Sequence, residues 1–137
     1  MSLSCFWDLE KMFVGTTNSI IAYEIRNEGE FFDEKSILEL GKGVTKLAAN
    51  KRSLFFGSFE GYIGMLDIQS LSKKAGFTKK GYKVSSLISN DGFLVAQFET
   101  GLGMDKYVYI WEIKDDSERP FLSPFTIIVS RSSKIVN

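Results

Sequence analysis

The sequence contains no histidine, one cysteine and two prolines in 137 residues. Without histidine there is no Ser-His-Asp triad, no imidazole proton shuttle and none of the commonest zinc ligand sets. The lone cysteine, Cys5, excludes an internal disulfide framework and a cysteine-based zinc site. An unpaired thiol suits the reducing cytosol or nucleus. An excess of one charge is missing too. The 17 Lys and Arg balance 17 Asp and Glu, which disfavours a globally basic nucleic-acid binder and leaves room only for a local patch. The apolar stretches are about four residues long, against the ~20 that cross a bilayer, so no membrane partner is expected. The N-terminus lacks the basic start and apolar run of a signal peptide.

What is present is a well-stocked apolar set, 44% of the chain and 14% aromatic, enough for one ordinary domain. It is arranged as a repeat. Tyr23-Glu24-Ile25, Leu66-Asp67-Ile68 and Trp111-Glu112-Ile113 each join a large apolar residue, an acid and an isoleucine, at intervals of forty-odd residues. Upstream of each lies a second apolar triplet: Met12-Phe13-Val14, Leu54-Phe55-Phe56 and Leu94-Val95-Ala96. Gly15 and Gly57 follow the first two triplets and Gln97 the third. Seven residues before each triplet stands a further apolar position, Cys5, Leu47 or Leu87. The intervening runs are short and rich in aromatic and β-branched residues, and turn-like stretches such as Asn50-Lys51-Arg52-Ser53 and Ser89-Asn90-Asp91-Gly92 separate them. These are strand signals. More polar fourth strands are expected at Ser36–Leu40 and Gly76–Thr78, where charge protects a sheet edge.

Four antiparallel strands in forty-odd residues is the period of a β-propeller blade. The acid-Ile endings resemble the Trp-Asp-Ile close of a WD40 repeat, and Gly57-Ser58-Phe59-Glu60-Gly61 resembles the Gly-Ser-x-Asp-Gly turn of that family. The Gly-His pair of the family is missing, so its His-centred hydrogen-bond network cannot form. The expected fold is all-β: β-propeller blades of four antiparallel strands, about three of them, at 2–41, 42–82 and 83–125, plus the start of a fourth at 126–137. In this reading Ile128 takes the place of Leu47 and Ile135-Val136 that of Leu54-Phe55. The remaining blades are then expected from a longer chain or another subunit. A generic antiparallel sandwich or barrel shares the short strands but does not predict the matched spacings.

The resemblance also implies where partners dock. In such propellers the turns between second and third strands share a face with the connections from each fourth strand to the next blade. Here that face would hold Asn18, Phe59, Glu60 and Tyr82 as the candidate partner-binding residues, with Lys42 and the segment from Glu99 to Asp105 nearby. Phe59 is the most informative of them, because aromatics are favoured interface anchors. Lys73, Lys74, Lys79 and Lys80 form a basic cluster around the outer strand of the second unit. They are candidate phosphate contacts, although lysines on an outer strand also discourage edge-to-edge pairing. Gly101-Leu102-Gly103 reads as a hairpin tip, since no Gly-Lys-Ser/Thr follows it. Asp115, Asp116 and Glu118 lack the spaced ligands and glycine of a calcium loop.

No constellation of residues supports catalysis, and no cofactor is expected. The function expected is a non-catalytic scaffold that binds protein partners or short peptide motifs. The first alternative is an RNA-associated propeller subunit using the lysines. Ser58-Phe59-Glu60-Gly61 resembles the Ser-Trp-Asp-Gly turn of propellers that serve mRNA export and the mitotic checkpoint. A metal-dependent propeller hydrolase is the second alternative.

Overall fold

The computed structural model describes residues 4–7, 11–25, 32–39, 43–90, 92–114, 120–121 and 123–131. They form twelve strands and no helix. The first sheet joins β1 (Ser4–Trp7), β2 (Lys11–Gly15), β3 (Ser19–Ile25) and β4 (Phe32–Glu39) in that spatial order. The second joins β5 (Val44–Ala49), β6 (Ser53–Ser58), β7 (Tyr62–Asp67) and β8 (Lys73–Thr78). The third joins β9 (Lys83–Ser89), β10 (Phe93–Glu99), β11 (Lys106–Glu112) and β12 (Phe125–Ser130). Every neighbouring pair is antiparallel, so each sheet is a simple up-and-down meander.

The pairing register repeats as the sequence does. Cys5 stands opposite Val14, Leu47 opposite Phe56 and Leu87 opposite Ala96. Met12, Leu54 and Leu94 stand opposite Tyr23, Leu66 and Trp111. The seven-residue offset is therefore the length of one hairpin arm and its turn. The turns repeat as well. Asn50 Oδ1 accepts the Arg52 and Ser53 amides at 2.9 and 2.8 Å, and Asn90 Oδ1 accepts the Gly92 and Phe93 amides at 3.1 and 2.9 Å. Both are Asx turns, in which a short carboxamide replaces a backbone acceptor. The closing isoleucines are fastened back to these turns: the Ile68 amide donates to the Arg52 carbonyl and the Ile113 amide to the Gly92 carbonyl. Both side chains are buried as a result.

The first strands of the three sheets lie side by side, β1 against β5 and β5 against β9. The second sheet is thus covered on both faces, and every residue of β6 is buried. Successive strand residues point to opposite faces. Leu54 and Phe56 accordingly join Phe13, Ile20 and Val44 in one core, while Phe55 joins Val84, Leu94, Phe98 and Trp111 in the other. Burial on both faces explains why Leu54, Phe55 and Phe56 follow one another in β6 without the alternation of a half-exposed strand.

Two expectations change. The outer strand of the second sheet starts earlier, at Lys73, and that of the first sheet spans Phe32–Glu39. More substantially, Phe125–Ser130 is not the first strand of a fourth unit. It pairs with β11 and completes the third sheet, with Tyr107 opposite Ile128. The misreading has a physical cause. β12 is apolar like an inner strand, yet its Phe125, Ile127, Ile128 and Val129 are exposed. The connection before it is also longer than its counterpart between β7 and β8, and carries the buried Pro120 and Phe121. Ile135-Val136, Lys42 and the Asp115–Glu118 stretch lie outside the described residues.

The turn after β7 is held by the acid that ends the strand. Asp67 Oδ1 accepts the Gln69 and Ser70 amides, each at 2.9 Å, and the Ser70 hydroxyl at 3.2 Å. The Ser70 amide, with the Gln69 amide, the Ser70 hydroxyl and the Lys74 charge, holds the Asp67 carboxyl below the ordinary carboxylate range, against partial burial. A lowered folded-state value means that the carboxylate stabilises the fold above the ordinary aspartate range, near ~4, and that this is lost as pH falls through the folded value. Asp67→Ala is expected to lose about 1 kcal/mol at pH 7. The deficit should shrink towards pH 3 in urea titrations, and a deficit independent of pH would contradict this role. In the core, Phe55 and Trp111 are 0% and 1% exposed. Replacing either by Ala should cost ~3–5 kcal/mol by denaturant titration, and a loss below about 1 kcal/mol would place it outside the packed core.

Candidate functional site

The candidate site begins with two bulges. Opposite β6 the register of β5 skips Thr45, and opposite β10 that of β9 skips Ser85. These are equivalent places in consecutive sheets, each with one unpaired extra residue on the inner strand. A bulge bends its strand and re-aims a side chain. Because β5 and β9 are neighbours, the two bulges fall together. The Thr45 hydroxyl donates to the Val84 carbonyl at 2.9 Å, and the Ser85 hydroxyl donates to the Gln97 carbonyl at 3.3 Å. Between them opens a cleft of about 290 Å³, lined by Thr45, Lys46, Phe59, Lys83, Ser85 and Glu99 among others. Lys83 and Glu99 form an ion pair at 3.2 Å in its wall. Lys46 is exposed at its edge.

The turns around the cleft are held by hydroxyl groups. Thr16 Oγ1 accepts the Asn18 and Ser19 amides, Ser58 Oγ the Glu60 and Tyr62 amides, and Thr100 Oγ1 the Asp105 amide. Ser58 is fully buried, so its hydroxyl is fixed between the strands and the turn beyond it must project outward. Phe59 consequently stands 56% exposed, beside the exposed Glu60. A Cβ placed on Gly43 would lie 3.5 Å from both the Phe59 ring and the Thr17 carbonyl, so the Asn18 turn meets the Phe59 turn there. Gly61, at φ +76°, brings the Phe59 turn against the next connection: its carbonyl accepts the Lys79 amide at 2.9 Å. Asn18, Phe59, Glu60 and Tyr82 therefore share one end of the sheets. Asn18, Phe59 and Glu60 are exposed, while Tyr82 is half-buried against Tyr107, with ring centroids 5.6 Å apart. Burial pushes the Tyr82 phenol up, joined by the Tyr107 phenol and the Asp105 carboxylate, while the Lys79 ammonium pulls it down.

The four lysines do not form one patch. Lys73 and Lys74 open β8 and Lys79 and Lys80 follow its end, a separation of ~20 Å along an extended strand. Lys74 donates to the buried Ser53 hydroxyl at 3.2 Å, and Lys73 lies over the Tyr62 ring at 5.5 Å. Lys79 sits among tyrosines, and Lys80 is exposed. Gly101–Gly103 is a hairpin tip between β10 and β11, as expected, with Gly103 at φ +69°. Among the described residues no three His, Cys, Asp or Glu side chains gather as a metal site.

Sequence reasoning found the turn residues but missed the cleft. Two of its lining residues, Thr45 and Ser85, occupy the same place in two successive units (Val44-Thr45-Lys46 and Val84-Ser85-Ser86). That small hydroxyl after a repeated valine is the signal that could have marked the bulge.

No protein-family model and no curated protein matches the chain. Solved structures do match. U3-55K, a WD40 protein, superposes with a TM-score of 0.69 at 17% identity, over 85% of this chain and 38% of its own. The computationally designed Ika4 protein gives 0.65 at 14% identity, over 82% of this chain and 64% of its own. The designed Ika8 protein gives 0.63 at 13% identity, over 80% and 32%. At these identities the likeness is one of fold, and the chain spans less than two thirds of each of these structures.

Proposed function

We propose that the chain is a portion of a WD40-like β-propeller, its three sheets serving as consecutive blades, and that it works as a non-catalytic scaffold for protein partners. The observation that carries the reading is Phe59, an exposed aromatic on a turn anchored by a buried serine, above a cleft formed by paired bulges. Phe59 supplies a rigid apolar contact. Thr45 and Ser85 keep lone pairs to accept hydrogen bonds, and Lys46 offers a cation at the edge. A short extended peptide fits this chemistry, with an apolar side chain against Phe59 and an acid or carbonyl towards Lys46. Glu60 and Asn18 orient it from the neighbouring turns. Further blades, from a longer chain or another subunit, cover the exposed apolar β12. The RNA-associated alternative has less support, because the lysines it needs lie at two ends of β8 and three of them engage neighbours.

The test is selection of peptides from a random library on the wild-type chain. Phe59→Ala should weaken the selected peptides about tenfold or more while the far-ultraviolet spectrum stays unchanged. Lys73→Glu/Lys74→Glu should leave them unaffected. A folded Phe59→Ala variant that keeps full affinity would overturn the assignment of this face. Loss confined to the lysine variant, and reproduced by raised salt, would favour the electrostatic alternative.

A further inference from the structure

Beside the Phe59 turn lies a feature that neither the cleft nor the scaffold reading uses. The Lys79 ammonium is 4.4 Å from the centroid of the Tyr82 ring and 4.5 Å from that of Tyr107. Those two rings stand nearly perpendicular, at 78°, and make a corner around it. Tyr109 closes the third side with its hydroxyl, which accepts a hydrogen bond from Lys79 Nζ at 3.1 Å. The corner is rigid. Tyr109 packs edge-on against Phe98 and Trp111, with centroids 5.1 and 5.7 Å away, and Tyr82 is tied by its amide to the Lys79 carbonyl. Ring faces attract cations through their negative quadrupole, and such corners are suited to alkylated ammonium groups.

Lys79 is held at the backbone and can move at the side chain. Its amide is bound to the Gly61 carbonyl and its carbonyl to the Tyr82 amide, but four methylenes separate those anchors from the ammonium. The occupant of the corner is therefore a tethered ligand. Its high effective concentration excludes an ordinary lysine from outside, which offers nothing that Lys79 lacks. An incoming group must bind better than a primary ammonium. Methylation does this by lowering the cost of leaving water while keeping the charge. The Tyr109 hydroxyl adds a second condition, because it accepts an N–H that a trimethylated nitrogen does not have.

We propose that Tyr82, Tyr107 and Tyr109 form a recognition corner for a partner protein's dimethyl-lysine, which Lys79 occupies and closes when no partner is bound. The inference deepens the partner-face reading and rests on it only for the source of the lysine. The adjoining Phe59 turn, joined to this connection through Gly61, would hold residues next to the modified one.

The experiment titrates N-acetyl-dimethyl-lysine methylamide, its trimethyl and its unmodified counterparts, into the whole chain, followed by nuclear magnetic resonance of the tyrosine rings. Lys79→Ala and Lys79→Gln should bind the dimethyl compound about tenfold more tightly than the wild type, and Tyr107→Ala should not bind it. Tyr109→Phe should erase the preference for dimethyl over trimethyl. In the wild type, saturation should move the Lys79 ε-methylene signal out of its ring-shifted position, a readout that needs no variant. The compound carries no flanking residues, so its binding is read apart from the peptide selection that tests the Phe59 face. Folded Lys79 variants that bind no more tightly than the wild type, or a Lys79 signal that stays in place at saturation, would overturn the proposal.

Discussion

The close approach of Val84 to Gly57 seats the third sheet on the second. A Cβ on Gly57 would fall 2.5 Å from Val84 Cγ1, so only a residue without a side chain lets β9 lie this near β6. The rest of the inter-sheet arrangement depends on that spacing. It puts the Thr45 hydroxyl within reach of the Val84 carbonyl, which brings the two bulges side by side. It also lets Phe77, on the outer strand of the second sheet, meet Trp111 at 5.2 Å and Phe98 at 6.0 Å on the third. Such edge-on aromatic pairs add to area burial about 0.5–1.5 kcal/mol each.

The candidate site follows from this stacking. Bulges on neighbouring inner strands open a cleft because the strands cannot stay paired and straight there. The tyrosine corner is likewise a product of two sheets meeting, since Lys79 leaves the second sheet while Tyr107 and Tyr109 belong to β11 of the third. Both features lie at the end where the hydroxyl-anchored turns project. Thr16, Ser58 and Thr100 each give their turn a fixed acceptor, so these turns are displayed on rigid supports, as binding loops on a scaffold generally are.

Much of the fold was legible because a repeat states its register several times. The offset from Leu47 to Leu54 recurs from Leu87 to Leu94 and from Cys5 to Met12, and hairpins of one length leave that mark. Gly57 was visible as part of the pattern, and so was its replacement by Gln97. The physical reason emerges only from packing: Val84 presses on Gly57, whereas no described strand follows β12 to press on Gln97. The outer strand of the third sheet was misread because composition suggested burial, while Phe125, Ile127, Ile128 and Val129 are exposed in fact. The tyrosine corner was illegible for a different reason. A whole hairpin separates Tyr82 from Tyr107 and Tyr109, and nothing local to any of them announces that they converge on Lys79.

Whether the contact of Gly57 on β6 with Val84 on β9 seats the third sheet on the second is tested most directly by a double-mutant cycle on Gly57→Ala and Val84→Ala, with stability measured by urea titration. Gly57→Ala alone should cost ~1–3 kcal/mol by overpacking. In the Val84→Ala background, where the clashing methyl groups are gone, the same substitution should cost at least about 1 kcal/mol less. An equal cost in both backgrounds, within about 0.5 kcal/mol, would contradict the account.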